Sequence, residues 1–244
     1  MAFLLSPNPS FASENLFSPD YHSCLNQAVG DFSILECTQE ELEKQDQRLN
    51  TAYKNAMQAL SPTEDDDEEI AKGMEEQKKK LREAQRSWIT FRDAWGEYIL
   101  SPEGGTLARV MALTWHLEAT RNQAIALEGG DEFQHLPESE FSPSYHECLE
   151  NSDGITVEIK NCLGEEWEKQ DNRLNAAYKA LMAGESESQR EALRKAQRAW
   201  LKFRDTYSDY LYDPNGGTIA GIISGTWFLN ATTDQALRLE VMNQ

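Results

Sequence analysis

The residues of this chain best suited to chemistry are two polar strings, each of which occurs twice. Asp46 and Asn50 stand four positions apart with Leu49 and Tyr53 on the same helical stripe. Gln85 and Arg92 share a second stripe with Leu81, Trp88 and Trp95. The second half repeats them as Asp171 and Asn175, and as Gln197 and Arg204. An aspartate beside an arginine could serve as a base beside an anion clamp. Neither copy, however, supplies a partner histidine, a Ser or Cys nucleophile beside a base, or a phosphate-cradling loop. Arg92 and Asp93 are sequential and should point to different helix faces, and for the same reason Glu165 and Glu166 form no catalytic dyad. The spacing therefore predicts a structural network. In it Asp46 and Asn50 face Gln85 and Arg92, and Asp171 and Asn175 face Gln197 and Arg204, with bidentate Arg–carboxylate pairs fixing helix register. No catalytic residue, metal ligand or cofactor is expected.

The elements that must hold these strings come from a duplication. Glu43–Lys54 recurs as Glu168–Lys179 and Leu81–Asp93 as Leu193–Asp205, each copy opening on Tyr-His-x-Cys at Tyr21 and Tyr145. A period of about a hundred residues is too long for a solenoid repeat and fits two tandem domains. The boundaries read as a tail at 1–20, a module at 21–128, a linker at 129–144 with Gly129, Gly130, Pro137 and Pro143, and a second module at 145–244. Apolar spacing predicts helices from Thr38, opened by a capping box, to Leu60; from Glu68 or Met74 to Leu100; and from Thr106 to Leu127. Their counterparts span 164–183, 186–212 and 218–242, after a Cys148–Cys162 segment that is a short helix or a loop. No strand-like alternation is sustained, so the fold class is all-α, two small helical bundles in tandem. The first copy alone carries an insertion near Ser61–Gly73, which includes five consecutive acids, Asp65, Asp66, Asp67, Glu68 and Glu69.

Cys24 and Cys37 lie 13 positions apart and Cys148 and Cys162 lie 14 apart. One disulfide per module is the simplest pairing, closing a loop worth about 3 kcal/mol in the chain-entropy model. Free thiols, or a metal site recruiting His22 or His146, are the alternatives, the latter lacking C-x-x-C spacing. Disulfides imply an oxidising compartment, and Ser10-Phe11-Ala12 looks like a small-x-small cleavage site, so a periplasmic or secreted protein is expected. No apolar run reaches the length of a membrane span. The net charge of −19 repels phosphate backbones and attracts cationic proteins. Gly104-Gly105-Thr106 and Gly216-Gly217-Thr218 read as helix-entry turns, with anion binding at the helix N-terminus the alternative, and the tryptophans as core.

The strings Asp46-x-x-Leu49-Asn50-x-x-Tyr53 and Gln85-x-x-Trp88-x-x-Phe91-Arg92-Asp93, with paired cysteines before them and Gly-Gly after, resemble the LprI family of bacterial envelope proteins, which includes inhibitors of lysozyme. The resemblance spans both modules. Where family members carry two further cysteines, this chain has Gly96 and Trp115, then Ser208 and Trp227, a small residue expected to face a tryptophan in each copy. Thr120-Arg121 is matched by Thr232-Thr233, so the copies differ. What the resemblance implies is a noncatalytic inhibitor of a cationic cell-wall hydrolase such as lysozyme; the acidic run Asp65–Glu69 and the turns Gly104-Gly105 and Gly216-Gly217 are the candidate contacts among this chain's own residues. An immunity or scaffold protein for another partner, such as a toxin, is the second reading, and a peptidoglycan-directed enzyme the third.

Overall fold

The computed structural model describes residues 17–100, 105–214 and 216–243. The cleavage-like tail and Gly104 lie outside them. Among the described residues there are eight α-helices, one 3₁₀ turn and no strand. The first half contains α1 (Pro19–Gln27), α2 (Gly30–Ala59), α3 (Glu68–Ile99) and α4 (Gly105–Leu127). The second repeats them as α5 (Pro143–Asn151), α6 (Thr156–Gly184), α7 (Glu187–Leu211) and α8 (Gly217–Met242).

Helix starts depart from expectation in a consistent way. Pro19 and Pro143, which read as tail and linker, occupy first helical positions behind Ser18 and Ser142, whose hydroxyls accept from the amides of Tyr21 and Tyr145. The first long helix of each module begins about two turns before the sequence pattern suggested. Thr38 is consequently not a cap: it lies buried inside α2 and donates to the Ile34 carbonyl at 2.7 Å. The expected capping box fails because Glu41, its acidic member, is engaged elsewhere. Later starts follow local chemistry, with Asp67 accepting from Ile70 N at the head of α3 and Ser186 with Gln189 forming a true capping box on α7.

Each module is a three-helix bundle with the outer pair parallel. Arg48 of α2 makes a bidentate pair with Glu128 at the end of α4, at 2.9 and 2.5 Å. Arg173 of α6 does the same with Glu240 of α8, at 2.7 and 2.6 Å. A short helix is stapled to each bundle by the disulfides Cys24–Cys37 and Cys148–Cys162, which take up all four cysteines.

The modules meet along α3 and α7, which run antiparallel for most of their length. Lys80 pairs with Asp209 at 3.2 Å, Ser87 with Thr206 at 2.5 Å and Tyr98 with Glu185 at 2.5 Å. Near the middle Phe91 stacks on Phe203, its own counterpart, with ring centres 5.8 Å apart and planes 13° apart. Equivalent residues meeting each other mark a local two-fold axis, as in a symmetric dimer. The largest core cluster is accordingly shared: Phe91, Trp95 and Trp115 from the first module pack with Leu174, Leu193, Trp200 and Leu239 from the second.

Because both modules close one core, urea should unfold the chain in a single transition followed identically by tryptophan fluorescence and circular dichroism. Phe91→Ala should lower stability by about 3 kcal/mol without splitting that transition. Two separable transitions would show that each bundle is stable alone.

Candidate interaction surfaces

The paired polar strings do not converge. Asp46 and Asn50 are exposed and bond to each other at 2.9 Å, as Asn175 does to Asp171 at 2.8 Å. Arg92 pairs instead with Asp93 at 2.8 Å and lies 4.9 Å above the Trp88 ring. Arg204 pairs with Asp205 at 3.0 Å and covers Trp200 and Phe228. The sequential residues thus reach one another after all, because a long guanidinium can bend back along the helix surface. Gln85 accepts from Gln123 at 3.0 Å and Gln197 from Gln235 at 2.9 Å. The bidentate arginines expected of Arg92 and Arg204 are Arg48 and Arg173, two positions before the asparagines that drew attention. A glutamate ending the last helix in both copies was the available signal.

A second repeated device fixes the short helices. Glu41 is buried and accepts from Ser18 N at 3.0 Å, Ser18 Oγ at 2.5 Å and Gln45 Nε2 at 2.8 Å. Glu166 does the same with Ser142 N, Ser142 Oγ and Gln170. Burial by itself would raise both carboxyls, but the hydrogen bonds to the charged form together outweigh it and hold them below the ordinary carboxylate value. Clamp and disulfide lock the loop between the short helix and the long one, and Thr106 at the start of α4 donates to Asp31 at 2.5 Å. Gly105 and Gly217 open their helices with φ of +60° and +63°, which only glycine adopts without strain.

This locked end of each module exposes large apolar side chains at equivalent positions. In the first they are Val29, Phe32, Leu100, Leu107 and Met111, and in the second Ile155, Val157, Tyr212, Ile219 and Ile223. The two ends lie far apart, since α3 is roughly 46 Å long and runs between them. The acidic run sits at the second module's end, where Gln77 reaches the Tyr212 carbonyl and α3 continues for roughly 13 Å more. Asp66 closes the loop on Thr63 at 2.6 Å and Asp67 caps α3, leaving Asp65, Glu68 and Glu69 exposed without such duties in the turn.

The linker fills the seam. Glu132 accepts from Trp227 Nε1 at 2.7 Å, and burial pushes its carboxyl up. His135 and Arg238 both pair with Asp234, at 2.8 and 2.7 Å. Burial would raise Asp234, but Arg238 and His135 bring it down to about 2. The same hydrogen bond raises His135. They edge a groove of about 540 Å³ between α3, α4 and α8, lined by Trp95, Trp115 and Arg121. The Asp234–Arg238 spacing was visible in the sequence, but nothing local announced His135. The small residues expected beside the tryptophans face elsewhere: Gly96 lies under the His116 ring, and Ser208 bonds Ser224 at 2.8 Å.

Fold and surface together define an all-α, disulfide-stapled protein whose repeated features hold a rigid exposed end on each of two fused bundles. The chain belongs to the LprI lysozyme inhibitor family, which matches residues 24–127 and 148–239. The crystal structure of an uncharacterized protein from Burkholderia thailandensis has a similar fold, with a TM-score of 0.59 at 16% identity over 93% of this chain and 97% of that one. No curated protein matches the chain.

The clamp carboxylates titrate with folding. Their depressed values mean that the stability they contribute is complete above the unfolded carboxyl value of 4.5 and is lost as pH falls through the lower folded value. Glu41→Gln/Glu166→Gln should cost about 1–3 kcal/mol per site at pH 7 and flatten the fall in stability as pH drops below 4.5, measured by urea midpoints across the acid range. An unchanged acid profile would remove the clamp from the argument.

Proposed function

We propose that this protein is a noncatalytic inhibitor of a cationic cell-wall hydrolase such as lysozyme, acting in the periplasm or outside the cell. Membership of the LprI lysozyme inhibitor family is the observation that carries the reading. Physical features support it. A net charge of −19 accelerates encounter with a basic enzyme. Two disulfides persist where the medium is oxidising. Among the described residues no helix is long and apolar enough to cross a membrane. The convergence expected of Asp46 with Arg92 and of Asp171 with Arg204 does not form, and each aspartate bonds its neighbouring asparagine instead. The rigid end beside Gly105 offers apolar contact surface, while Asp65–Glu69, at the end beside Gly216 and Gly217, adds to the long-range negative field.

Purified, oxidised protein should inhibit a basic lysozyme acting on cell walls in a dose-dependent way, beyond an unrelated protein of similar charge. The association rate should fall at least tenfold between low salt and about 0.5 M salt, where exposed charges are screened within a few ångströms. Lysis unaffected at any dose would overturn the inhibitor reading, and a salt-independent association rate would remove the electrostatic part of it.

A further inference from the structure

The two modules share a fold but not a surface. In the first, an open groove of about 520 Å³ runs between α2, α3 and α4 over Leu35, Leu100, Ala112 and Leu113, with Asp93 and Glu97 on its rim. It exists because Gly96 lets the His116 ring settle against the backbone of α3, where any side chain would collide with it. Leu35 and Leu113 also line a neighbouring groove beside Phe32, Glu36 and Glu40, so the apolar strip continues across the locked end. Phe32, 74% exposed, and Val29, 89% exposed, extend it to the edge.

At the equivalent places in the second module, the Leu35-Glu36 pair is replaced by Lys160-Asn161, Arg109 by Gly221 and Leu113 by Gly225. Lys160 lies across Gly221, where a larger residue would displace its ammonium end, and Ser208 is tied to Ser224. Lys160 and Asn161 thus put a cation and an amide where the first module has Leu35 and Glu36, and Gly225 removes the apolar wall of Leu113, while the rim acids Glu40, Asp93 and Glu97 keep acidic counterparts in Glu165, Asp205 and Asp209. Of those acids Asp93 is paired with Arg92 and Glu97 with Lys195, while Arg109 is the base among the lining residues. Burial and the nearby Arg92 charge keep His116 below its usual value, so it adds little positive charge near neutral pH.

We propose that the first module alone docks the partner: a basic protein places one apolar side chain against Leu35 and Leu113 while flanking lysines or arginines meet Glu36, Glu40 and Glu97. This rests on the inhibitor reading and adds which module binds and with what. A second copy of the chain is a poor occupant, because it would bring the same acids to the same acids. One inhibitor therefore binds one enzyme, and the acidic run at the far end is not in contact.

The two modules provide the test, by exchanging adjacent residues between them. Leu35→Lys/Glu36→Asn gives the first module the residues of the second, at half-exposed and exposed positions where the fold already accepts them. Inhibition of a basic lysozyme, calorimetric stoichiometry and thermal melting are measured for this variant, for Lys160→Leu/Asn161→Glu, and for Asp65, Glu68 and Glu69 changed to their amides. The first variant should melt like the parent and need at least tenfold more protein for half-inhibition. The other two should inhibit as the parent does or better. A folded Leu35→Lys/Glu36→Asn protein with parental inhibition, or tenfold weakening by the acidic-run variant alone, would overturn the assignment to the first module while leaving the inhibitor reading standing. A parent that does not inhibit at all would overturn both. Binding of two enzymes per chain by the parent would show that both modules dock.

Discussion

The antiparallel seam between α3 and α7 is the constraint on which the rest of the molecule depends. Phe91 stacks on Phe203, and Trp95, Trp115 and Trp200 converge around the pair from both repeats. A bundle of about a hundred residues buries a limited apolar area. Fusing two of them face to face lets each supply the other's missing wall. The two-fold relation follows from the duplication, since a surface that is complementary to itself in one copy remains so when the copies are joined in one chain.

The seam also decides where variation is possible. Residues that close each bundle recur in both copies with the same partners: Arg48 with Glu128 and Arg173 with Glu240, Gln85 with Gln123 and Gln197 with Gln235, Glu41 with Ser18 and Glu166 with Ser142. The buried members, Glu41, Glu166, Gln123, Gln197 and Gln235, would be costly to bury without their partners. Away from these pairs the copies diverge. Trp115 Nε1 donates to the Arg92 carbonyl, whereas Trp227 Nε1 finds Glu132 of the linker. The His135–Asp234–Arg238 cluster has no equivalent in the first half, where Asn122 and Ala126 stand for the last two. One frame thus carries two different ends.

Rigidity at those ends has a covalent and a polar source working on the same loop. The disulfide ties the short helix to the long one. The buried glutamate holds the serine that caps that short helix, so pulling the serine away while the carboxylate stays buried would leave an ionised group short of hydrogen bonds. A surface fixed in this way loses little conformational freedom on binding, which favours recognition by apolar side chains such as Phe32 and Met111.

The sequence by itself determined the all-α class, the duplication and the approximate course of six long helices, because periodicity, turn residues and internal repetition are properties of local spacing; it made one disulfide per module the simplest pairing, and the structure settled it. It also placed Asp46 and Asn50 on one stripe, but stripes near the edge of an apolar face turn either way, and only packing put them in solvent. Tertiary structure alone decided that Arg48 and not Arg92 reaches a distant carboxylate, since that depends on α2 and α4 lying parallel. It decided too that Glu41 serves Ser18 instead of capping a helix at Thr38, and that the linker threads Glu132 and His135 into the seam. That Lys160 of α6 lies over Gly221 of α8 likewise needed both helices in place, because a lysine's reach matters only once a glycine lies beneath it.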